Sequence, residues 1–517
     1  MKQIPSRILF VYNGAMENTS KPRILIAGAT GFIGRRLIHA LEGHSIVALQ
    51  RHQPPTDKLL NMKNVTWRNC DLYSLLQTEQ VCVENDIAIY LVHSMMPSAR
   101  LNQANFQDTD LIMADNFARA CKKAGVKQII YLGGIIPDDP SLSKHLESRL
   151  EVERTLGSHG MALTSLRAAM IIGPGGSSFE MMSLLVKRLG VMLTPAWTNN
   201  SLQPVDIEDV VAAILEVINN PEKQNQCWDL VGPEKISYKN LMLRTAAIMG
   251  KKMIAIPVPF FTPRLSVLWI RFITGMSTHL IKPLVESLKH DMLARPQRIL
   301  RFKHAAQRTL DESLKTALKA GLSKSVATVH HDIVKKENTM PSNVRSVQRL
   351  PLPPGCDAQW VAREYLRWLP EAFSHIVVDS DQEYANFYVF HPKLTVLKLK
   401  LSSERSSTDR PLFYIVGGLL AGKKNPVNAR LEFREVLDQQ YILAAIHNFS
   451  PSLPWYVYKY SQAIVHLFVM RRFASHLEKV KNEKLKGDSS SPSLKLQSVS
   501  KSDLPERAVS DRPDSLV

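Results

Sequence analysis

Residues 23–34 of the chain read Arg-Ile-Leu-Ile-Ala-Gly-Ala-Thr-Gly-Phe-Ile-Gly. The first part is a short, continuous apolar run, which is typical of a parallel strand buried on both faces. Glycines follow at Gly28, Gly31 and Gly34, and the pattern after them indicates a helix that ends near Leu41. A strand that passes through a glycine turn into a helix is the repeating unit of doubly wound parallel sheets.

Strands and helices alternate from this point to about residue 168. Apolar runs predict further strands at residues 45–49, 65–68, 86–92, 128–132 and 163–168. We therefore expect an α/β fold with an N-terminal Rossmann-type, doubly wound parallel sheet over residues 22–325. The carboxyl ends of such strands, and any ligand, share one edge of the sheet.

A second set of elements follows a polar linker at residues 326–345. Asp357 is a predicted N-cap for a helix that runs to Trp368. Further strands are predicted at residues 394–401, 412–420, 429–437 and 441–449, and one closing helix at residues 455–477. We expect a C-terminal α+β domain over residues 346–480. Residues 1–21 and 481–517 are predicted to be a disordered lead-in and a disordered tail.

The amino-acid composition restricts the classes of molecule that this protein is expected to bind. The 517 residues are 45% hydrophobic, and 65 basic against 47 acidic residues give a net charge of +18. This excess suits an anionic partner such as a phosphate-rich cofactor or acidic lipid. We expect no nucleic-acid partner, because no recognition motif is present. The five cysteines and 16 histidines show no ligand spacing, so no metal site is predicted and a reduced, cytoplasmic compartment is expected.

The glycine loop predicts a phosphate site. Peptide N–H groups at a helix N-terminus are unpaired and lie at the positive end of the helix dipole. A side chain on the turn would keep a pyrophosphate away, so glycine is required there. The alternative interpretation of the loop is an ordinary tight turn.

The end of the second strand chooses between the two nicotinamide cofactors. A site for NAD(H) places a carboxylate there for the ribose 2′-hydroxyl, but this chain has Gln50, Arg51 and His52. A guanidinium suits a 2′-phosphate, so we expect NADP(H) to be preferred over NAD(H), with Arg51 as the contact. The alternative for Arg51 is a solvated surface charge. Asp71, after the third strand, is expected to accept from an adenine amino group, to cap the next helix, or to do both.

These motifs resemble the short-chain dehydrogenase/reductase superfamily and, more narrowly, its atypical NmrA-like branch. The resemblance covers about residues 22–325 and rests on Gly28-Ala-Thr-Gly-Phe-Ile-Gly34, Tyr90-Leu-Val-His-Ser-Met95, Tyr131-Leu-Gly-Gly134, Leu166-Arg-Ala-Ala-Met-Ile-Ile-Gly-Pro-Gly175 and Gln203-Pro-Val-Asp-Ile-Glu-Asp-Val210. It implies an NAD(P)-binding domain. With the residues argued above, the predicted cofactor-binding set is Gly28, Thr30, Gly31, Phe32, Ile33, Gly34, Arg51, Asp71, Leu72 and His93.

Residues 346–480 resemble an uncharacterised domain that is often fused to such reductase-like modules in bacteria. The signature is Phe413-Tyr-Ile-Val-Gly-Gly-Leu-Leu420 followed by Ala429-Arg-Leu-Glu-Phe-Arg-Glu-Val436. This resemblance implies a helix-grip-like fold.

The chain departs from the superfamily at the catalytic positions. The superfamily uses a Tyr-x-x-x-Lys pair and a Ser or Thr near the end of the fifth strand, but here that strand ends in Gly133 and Gly134. His145 takes the Tyr-like place and Arg149 the Lys-like place, one helical turn apart. An imidazole can act as an acid near neutral pH, whereas a guanidinium stays protonated. The alternative is that both are solvated helix residues without a catalytic role.

Two functions fit these observations. In the first, the chain is an NADP-dependent oxidoreductase that acts on a small organic substrate. In the second, it binds NADP(H) as a sensor or structural module without catalysis. Arg167, late in the sixth strand, is expected to pair with a carboxylate such as Glu147 or Glu151, the alternative partner being an acidic ligand. His93 is either a ligand contact or a packed residue at a strand end.

Residues 251–310 form a basic, apolar extension. They hold eleven Lys or Arg and two acidic residues. Leu265, Leu268, Trp269 and Phe272 are predicted to form one apolar helix face, which suggests peripheral contact with a membrane, at its inner face in a cell. The alternatives are a lid over the substrate and burial against the C-terminal helix.

Overall fold

The computed structural model describes residues 21–51, 62–94, 101–258, 262–301, 307–320, 344–389, 394–422 and 429–489. The predicted lead-in, apart from Lys21, lies outside the described residues. The same is true of nearly all of the predicted linker and of the tail beyond Ser489.

Seven strands form a fully parallel N-terminal sheet in the order β3-β2-β1-β4-β6-β7-β12. These strands are β1 (Ile24–Ala27), β2 (Ile46–Gln50), β3 (Val65–Asn69), β4 (Ile87–Tyr90), β6 (Gln128–Gly134), β7 (Ala162–Ala168) and β12 (Gln226–Leu230). The order reverses between β1 and β4, which places a crevice at the carboxyl ends of these two strands. The predicted Rossmann-type sheet is confirmed, and β12 is a seventh strand that the sequence patterns did not predict.

Helices cover both faces of this sheet and extend beyond it. They are α1 (Phe32–Ala40), α2 (Leu75–Cys82), α3 (Phe106–Ala124), α4 (Lys144–Gly157), α5 (Ser177–Arg188), α6 (Ile207–Val217), α7 (Tyr238–Ile248), α8 (Pro263–Thr274), α9 (Thr278–Ser287) and α10 (Leu310–Lys319). Three short strand pairs accompany them: β8 (Ile171–Ile172) with β11 (Val205–Asp206), β9 (Val191–Pro195) with β14 (Ile254–Val258), and β10 (Ser201–Leu202) with β13 (Ile236–Ser237). Single 3₁₀ turns lie at Ala196–Asn199, Pro221–Lys223 and Pro296–Arg298.

The C-terminal half builds a second sheet in the order β16-β17-β18-β19-β20-β21-β15-β5. The strands are β5 (Leu101–Gln103), β15 (Val344–Pro351), β16 (Ile376–Ser380), β17 (Tyr384–Val389), β18 (Thr395–Leu401), β19 (Leu412–Gly417), β20 (Arg430–Val436) and β21 (Tyr441–Phe449). All neighbours are antiparallel except β15 and β5. The helices are α11 (Ala358–Ala372), α12 (Trp455–Tyr460) and α13 (Gln462–Ser489). The expected α+β class is confirmed.

Several features of this half differ from the expectation. Strands β5, β16 and β17 were not predicted from the sequence. The closing helix is broken at Ser461, whose backbone angles of −127° and −91° are not helical, and it then continues as α13 to Ser489. The polar linker was expected to run to residue 345. Strand β15 already begins at Val344, and it pairs along its whole length with β21. Asp357 caps α11 as predicted, accepting the N–H of Trp360 at 2.7 Å.

The second sheet packs on α3 of the N-terminal domain. Arg349 of β15 forms ion pairs with Asp108 of α3 at 2.8 Å and with Glu151 of α4 at 2.6 Å. Val347 and Leu443 join one apolar cluster with residues of α3 and the N-terminal sheet. The C-terminal half therefore covers the same side of the N-terminal sheet that carries α3 and α4.

Candidate functional site

The turn after β1 is shaped for close approach of a ligand. Gly28 has a φ of +90°, and a Cβ there would lie 3.1 Å from Leu91. A Cβ on Gly34 would lie 2.4 Å from the carbonyl oxygen of Gly28, so α1 packs against the turn only with glycine at this position. Helix α1 begins after Gly31 with no side-chain cap and no acidic residue in its first turn. Its first N–H groups form a donor set that fits a phosphate.

A cavity of about 260 Å³ lies at the carboxyl ends of β1, β2 and β4. Its lining residues are Gly28, Thr30, Gly31, Leu49, Gln50, Arg51, Cys70, Leu72, Leu91, Val92, His93, Ser94 and Met113. Six of the predicted cofactor residues are thus brought together, namely Gly28, Thr30, Gly31, Arg51, Leu72 and His93. Phe32, Ile33 and Gly34 lie beside them in the first turn of α1.

Arg51 is the charged side chain at the end of β2. It is exposed and lines the cavity, next to a neutral pair in which Gln50 Nε2 donates to Asn69 Oδ1 at 2.9 Å. Among the described lining residues there is no carboxylate. This end of the cavity therefore offers a cation and amide groups, which suit a phosphate better than a hydroxyl donor.

Asp71 lies between the lining residues Cys70 and Leu72, but its carboxylate is already engaged. It forms an ion pair with Arg345 of β15 and accepts the N–H of Tyr73 at 3.2 Å. The expected cap on the next helix is not formed, because α2 begins after Ser74 and Asp71 closes the preceding turn instead. The C-terminal sheet thus holds the loop that borders the cavity.

A buried carboxylate, Asp110 of α3, gathers polar groups at the end of β4. It lies 2.8 Å from Nδ1 of His93, accepts the N–H of Ser94 at 2.7 Å, and accepts from Arg149 at 2.6 Å. Burial opposes ionisation of Asp110, but His93 and Arg149 together outweigh it and hold the pKa of Asp110 below its ordinary value. The same Nδ1 also lies 2.5 Å from Nη2 of Arg149, so the ring is held between a carboxylate that accepts and a guanidinium that donates. Nε2 of His93 has no hydrogen-bond partner among the described residues.

Arg149 is buried and is not the solvated residue of the alternative interpretation. Its guanidinium contacts Asp110 and His93, and its carbonyl oxygen accepts from Tyr131 at 3.2 Å. Helix α4 places it there because the helix buries one face against β6 and α3. Arg149 therefore compensates the charge of Asp110 inside the protein.

His145, one turn before Arg149, lies beside His93. The ring centroids are 5.0 Å apart, and Nδ1 of His145 has no partner within the described part of the chain. Burial, followed by repulsion from His93 and Arg149, lowers the pKa of His145 well below its ordinary value. Burial and Arg149 lower the pKa of His93 as well. Both imidazoles are therefore mainly neutral at neutral pH.

Arg167 has a structural partner, as expected, but the partner is Glu153. The guanidinium makes two hydrogen bonds to that carboxylate, at 2.9 and 2.5 Å. Glu147 is exposed and Glu151 binds Arg349, whereas Glu153 lies on the buried face of α4 that meets β7. This pair does not reach the cavity lining.

Asp110 is the residue that sequence reasoning missed. The available signal was weak: α3 carries Asp108, Asp110 and Asp115 within a mainly apolar helix, and all three are buried. Buried acidic side chains need hydrogen-bond or charged partners. Their presence on such a helix therefore predicts polar contacts, but the sequence does not identify the partner residues. The glycine loop carried no information on α3.

The chain is similar to known proteins over its N-terminal part. Residues 24–230 match the profile of the NAD dependent epimerase/dehydratase family. A 125-residue stretch is 32% identical to the auxiliary protein GraX of Staphylococcus aureus, covering 24% of this chain and 40% of that relative. An isoflavone reductase homolog of Lupinus albus is 25% identical over 250 residues, 45% of this chain and 77% of the relative.

Solved structures include the Citrobacter sp. triphenylmethane reductase complexed with NADP(H). Its identity is 18% and its TM-score 0.46, with 57% of this chain and all of that chain covered. Residues 24–230, which contain the Rossmann-type sheet, are thus similar to the NAD dependent epimerase/dehydratase family, and the curated relatives that match this chain include reductases. The match to GraX spans less than half of that relative's length.

Proposed function

We propose that this chain is an NADP(H)-dependent oxidoreductase of the atypical, NmrA-like type that acts on a small organic substrate. One observation carries the proposal: His93, which is paired with the buried carboxylate of Asp110, lines the same cavity as the glycine turn. A phosphate site alone fits any dinucleotide-binding protein. A phosphate site with an imidazole that lines the same cavity fits proton transfer beside a bound dinucleotide.

The cofactor half of the proposal assigns the pyrophosphate to the first turn of α1 and the 2′-phosphate to Arg51. Gly28 and Gly31 leave room for the pyrophosphate against the peptide N–H groups. Arg51 supplies the charge-assisted hydrogen bonds. The missing carboxylate at the end of β2 removes the usual contact for the ribose hydroxyl of NAD(H).

Replacing Arg51 by glutamate should weaken NADPH far more than NADH. Loss of a charge-assisted hydrogen bond costs about 1.5–3 kcal/mol, or roughly 10- to 150-fold in affinity. Fluorescence titration of both cofactors measures the effect. Arg363→Glu, at an exposed position on α11, is the matched control and should change neither curve. Equal losses for NADPH and NADH in Arg51→Glu would remove Arg51 from the 2′-phosphate.

The catalytic half of the proposal concerns the source of the proton that the substrate receives. A bound reduced nicotinamide supplies the hydride. The second requirement is a proton for the substrate atom that becomes negative, and the imidazole pair His93 and His145 is the donor in our proposal. Asp110 orients His93 through Nδ1, and Arg149 balances the charge of Asp110 and so keeps the ring in place. Arg149 is then a positioning residue.

His145→Phe should lower reductive turnover by about 100-fold or more, the lower range for loss of a general acid. NADPH affinity should stay unchanged, because His145 reaches the cavity only through its neighbour His93 and does not itself line the part that holds the glycine turn. The assay follows NADPH absorbance with a panel of aldehydes, quinones and enones. His279→Phe, on the exposed side of α9, is the control. Undiminished turnover in His145→Phe would exclude this imidazole from the reaction.

The pH dependence of the reduction rate offers an independent check of the proposed proton donor. Because the pKa values of both histidines are lowered, the protonated donor accumulates only as the pH falls below the ordinary value of 6.5. Reduction should therefore speed up from neutral toward acidic pH. The profile should flatten in His145→Phe if that ring is the donor.

Binding without catalysis is the competing function. Strand β6 ends in Gly133 and Gly134 and offers no hydroxyl to polarise a carbonyl. Tight NADPH binding together with no turnover across the whole panel would favour a sensor or structural module. The resemblance of residues 346–480 to a domain fused to reductase-like modules stays a prediction.

A further inference from the structure

Helix α8 turns an apolar face outward. Phe272 is 86% exposed, Leu268 is 59% exposed and Leu265 is 47% exposed, and their spacing places them side by side on the helix. Ile270 and Ser266 on the opposite side are buried. Trp269, predicted to share the apolar face, is half-buried instead. A helix at the surface of a soluble protein normally has its polar side facing outward.

The strand pair of β9 and β14 also exposes apolar side chains, and β14 lies just before α8 in the chain. Ile254 is 63% exposed, Ile256 is 45% exposed, and Val191, which pairs with Ile254, is 48% exposed. Residues two apart on a strand share a face, and so do parallel partners in register. The short sheet therefore presents a second apolar face close in sequence to the first.

Along the sequence, the segment that contains β14 and α8 carries charged residues of one sign, although Arg244 pairs with Glu234 and Asp311 outside it. Residues 235–285 contain eight Lys or Arg and no Asp or Glu. Arg264 and Arg271 are exposed on α8, at the edge of the arc that carries Leu268 and Phe272. Lys251 and Lys252 are exposed just before β14. Some cations predicted to contribute are used elsewhere: Arg295 is paired with Asp138.

From this geometry we infer that the outward face of α8 docks on an anionic lipid bilayer. Large apolar side chains flanked by cations are what an interfacial segment needs, since the former enter the headgroup region and the latter face acidic lipid. Each Lys or Arg near such a surface contributes about 1 kcal/mol. In the described part of the chain, no helix is long and apolar enough to cross a membrane, so contact through α8 is peripheral.

Among the residues that the structure describes, burial of this face against the C-terminal helix, the alternative predicted from sequence, does not occur. The exposed fractions of Leu268 and Phe272 show that this helix is not covered by α12 or α13. Instead, α13 begins beside β5, where Gln103 donates to the carbonyl of Ala463 at 2.8 Å. The inference is independent of the proposed catalysis.

Vesicle sedimentation of the full chain tests this inference. The protein should pellet with vesicles of equal parts phosphatidylglycerol and phosphatidylcholine at low salt. It should stay in the supernatant with phosphatidylcholine alone. The double variant Leu268→Ser/Phe272→Ser should lose at least about tenfold in vesicle affinity, since two anchors are removed. Arg264→Glu/Arg271→Glu should weaken binding to the anionic vesicles, and so should added salt.

The matched control is Leu76→Ser/Val83→Ser, which replaces two exposed apolar residues on and just after α2 and should bind vesicles like the wild type. NADPH titration of every variant confirms that the fold and cofactor site are intact. Protein that stays in the supernatant at low salt would overturn the inference. So would vesicle binding that the α8 variants leave unchanged, or a wild-type dimer that these variants convert to monomer without any vesicle binding.

Discussion

Replacing Arg434 by methionine should lower the free energy of unfolding by about 3–5 kcal/mol, the usual result of removing one partner from a buried ion pair. Arg434 is 0% exposed and lies where β20 meets α3. Its guanidinium donates to Asp115 at 2.7 Å, to Asn116 at 2.6 Å and to Glu432 at 2.7 Å. Methionine fills similar space but leaves these acceptors without that donor. The variant tests a contact between the two halves of the chain, because Asp115 and Asn116 belong to the N-terminal half and Glu432 belongs to the C-terminal half.

Chemical denaturation of the full chain measures this loss. Lys127→Met is the matched control, because it removes the same charge from an exposed pair with Asp86, and it should change stability by less than about 1 kcal/mol. An Arg434→Met protein as stable as the control would mean that the buried network contributes no net stability to the contact between the two halves.

Acid should destabilise the wild type through the same network. Although burial opposes it, Arg434 and His447 hold the pKa of Glu432 well below the ordinary 4.5. A carboxyl whose pKa is lower in the folded state contributes stability that is present above its unfolded value and is lost as the pH falls. Stability should therefore decline below about pH 4.5. The decline should be shallower in Arg434→Met.

Replacing Gly31 by aspartate should abolish NADPH binding. A Cβ at this position lies 3.1 Å from the carbonyl of Gly28, and the carboxylate beyond it enters the space beside the first N–H groups of α1. It occupies the anion site and repels a pyrophosphate. We expect a loss of at least about 100-fold, since charge repulsion adds to the lost hydrogen bonds.

The control for this variant is Gly190→Asp, at an exposed glycine where a Cβ meets nothing within 4 Å. Its NADPH titration should match the wild type. If Gly31→Asp retained wild-type affinity and a normal unfolding curve, the cofactor would have to bind elsewhere.

Much of the N-terminal fold could be predicted from sequence, because buried parallel strands are continuous apolar runs. Strand β12 was missed since it contains Gln226 and Asp229 and lies at the sheet edge. In the C-terminal half, β15 was missed because Arg345 and Arg349 interrupt the apolar pattern of this segment. Their partners, Asp71 and Glu151, belong to the other half, and no local pattern reveals such a tertiary contact.

The candidate site likewise has one part that the sequence predicted and one part that it did not. The glycine turn and Arg51 are contiguous with their strands, so local spacing was enough to predict that they share a cavity. The Asp110 contact to His93 depends on how α3 packs against β4, and the burial that lowers the pKa of His145 depends on the fold of α4. Periodicity places both helices without fixing which polar side chains meet.

Calorimetric titration of the wild-type chain with NADPH and with NADH tests the central claim most directly. We predict one NADPH bound per chain, with an affinity at least about tenfold above that for NADH, the lower limit for one charge-assisted contact at Arg51. Binding of neither cofactor, or equal affinity for both, would contradict the claim.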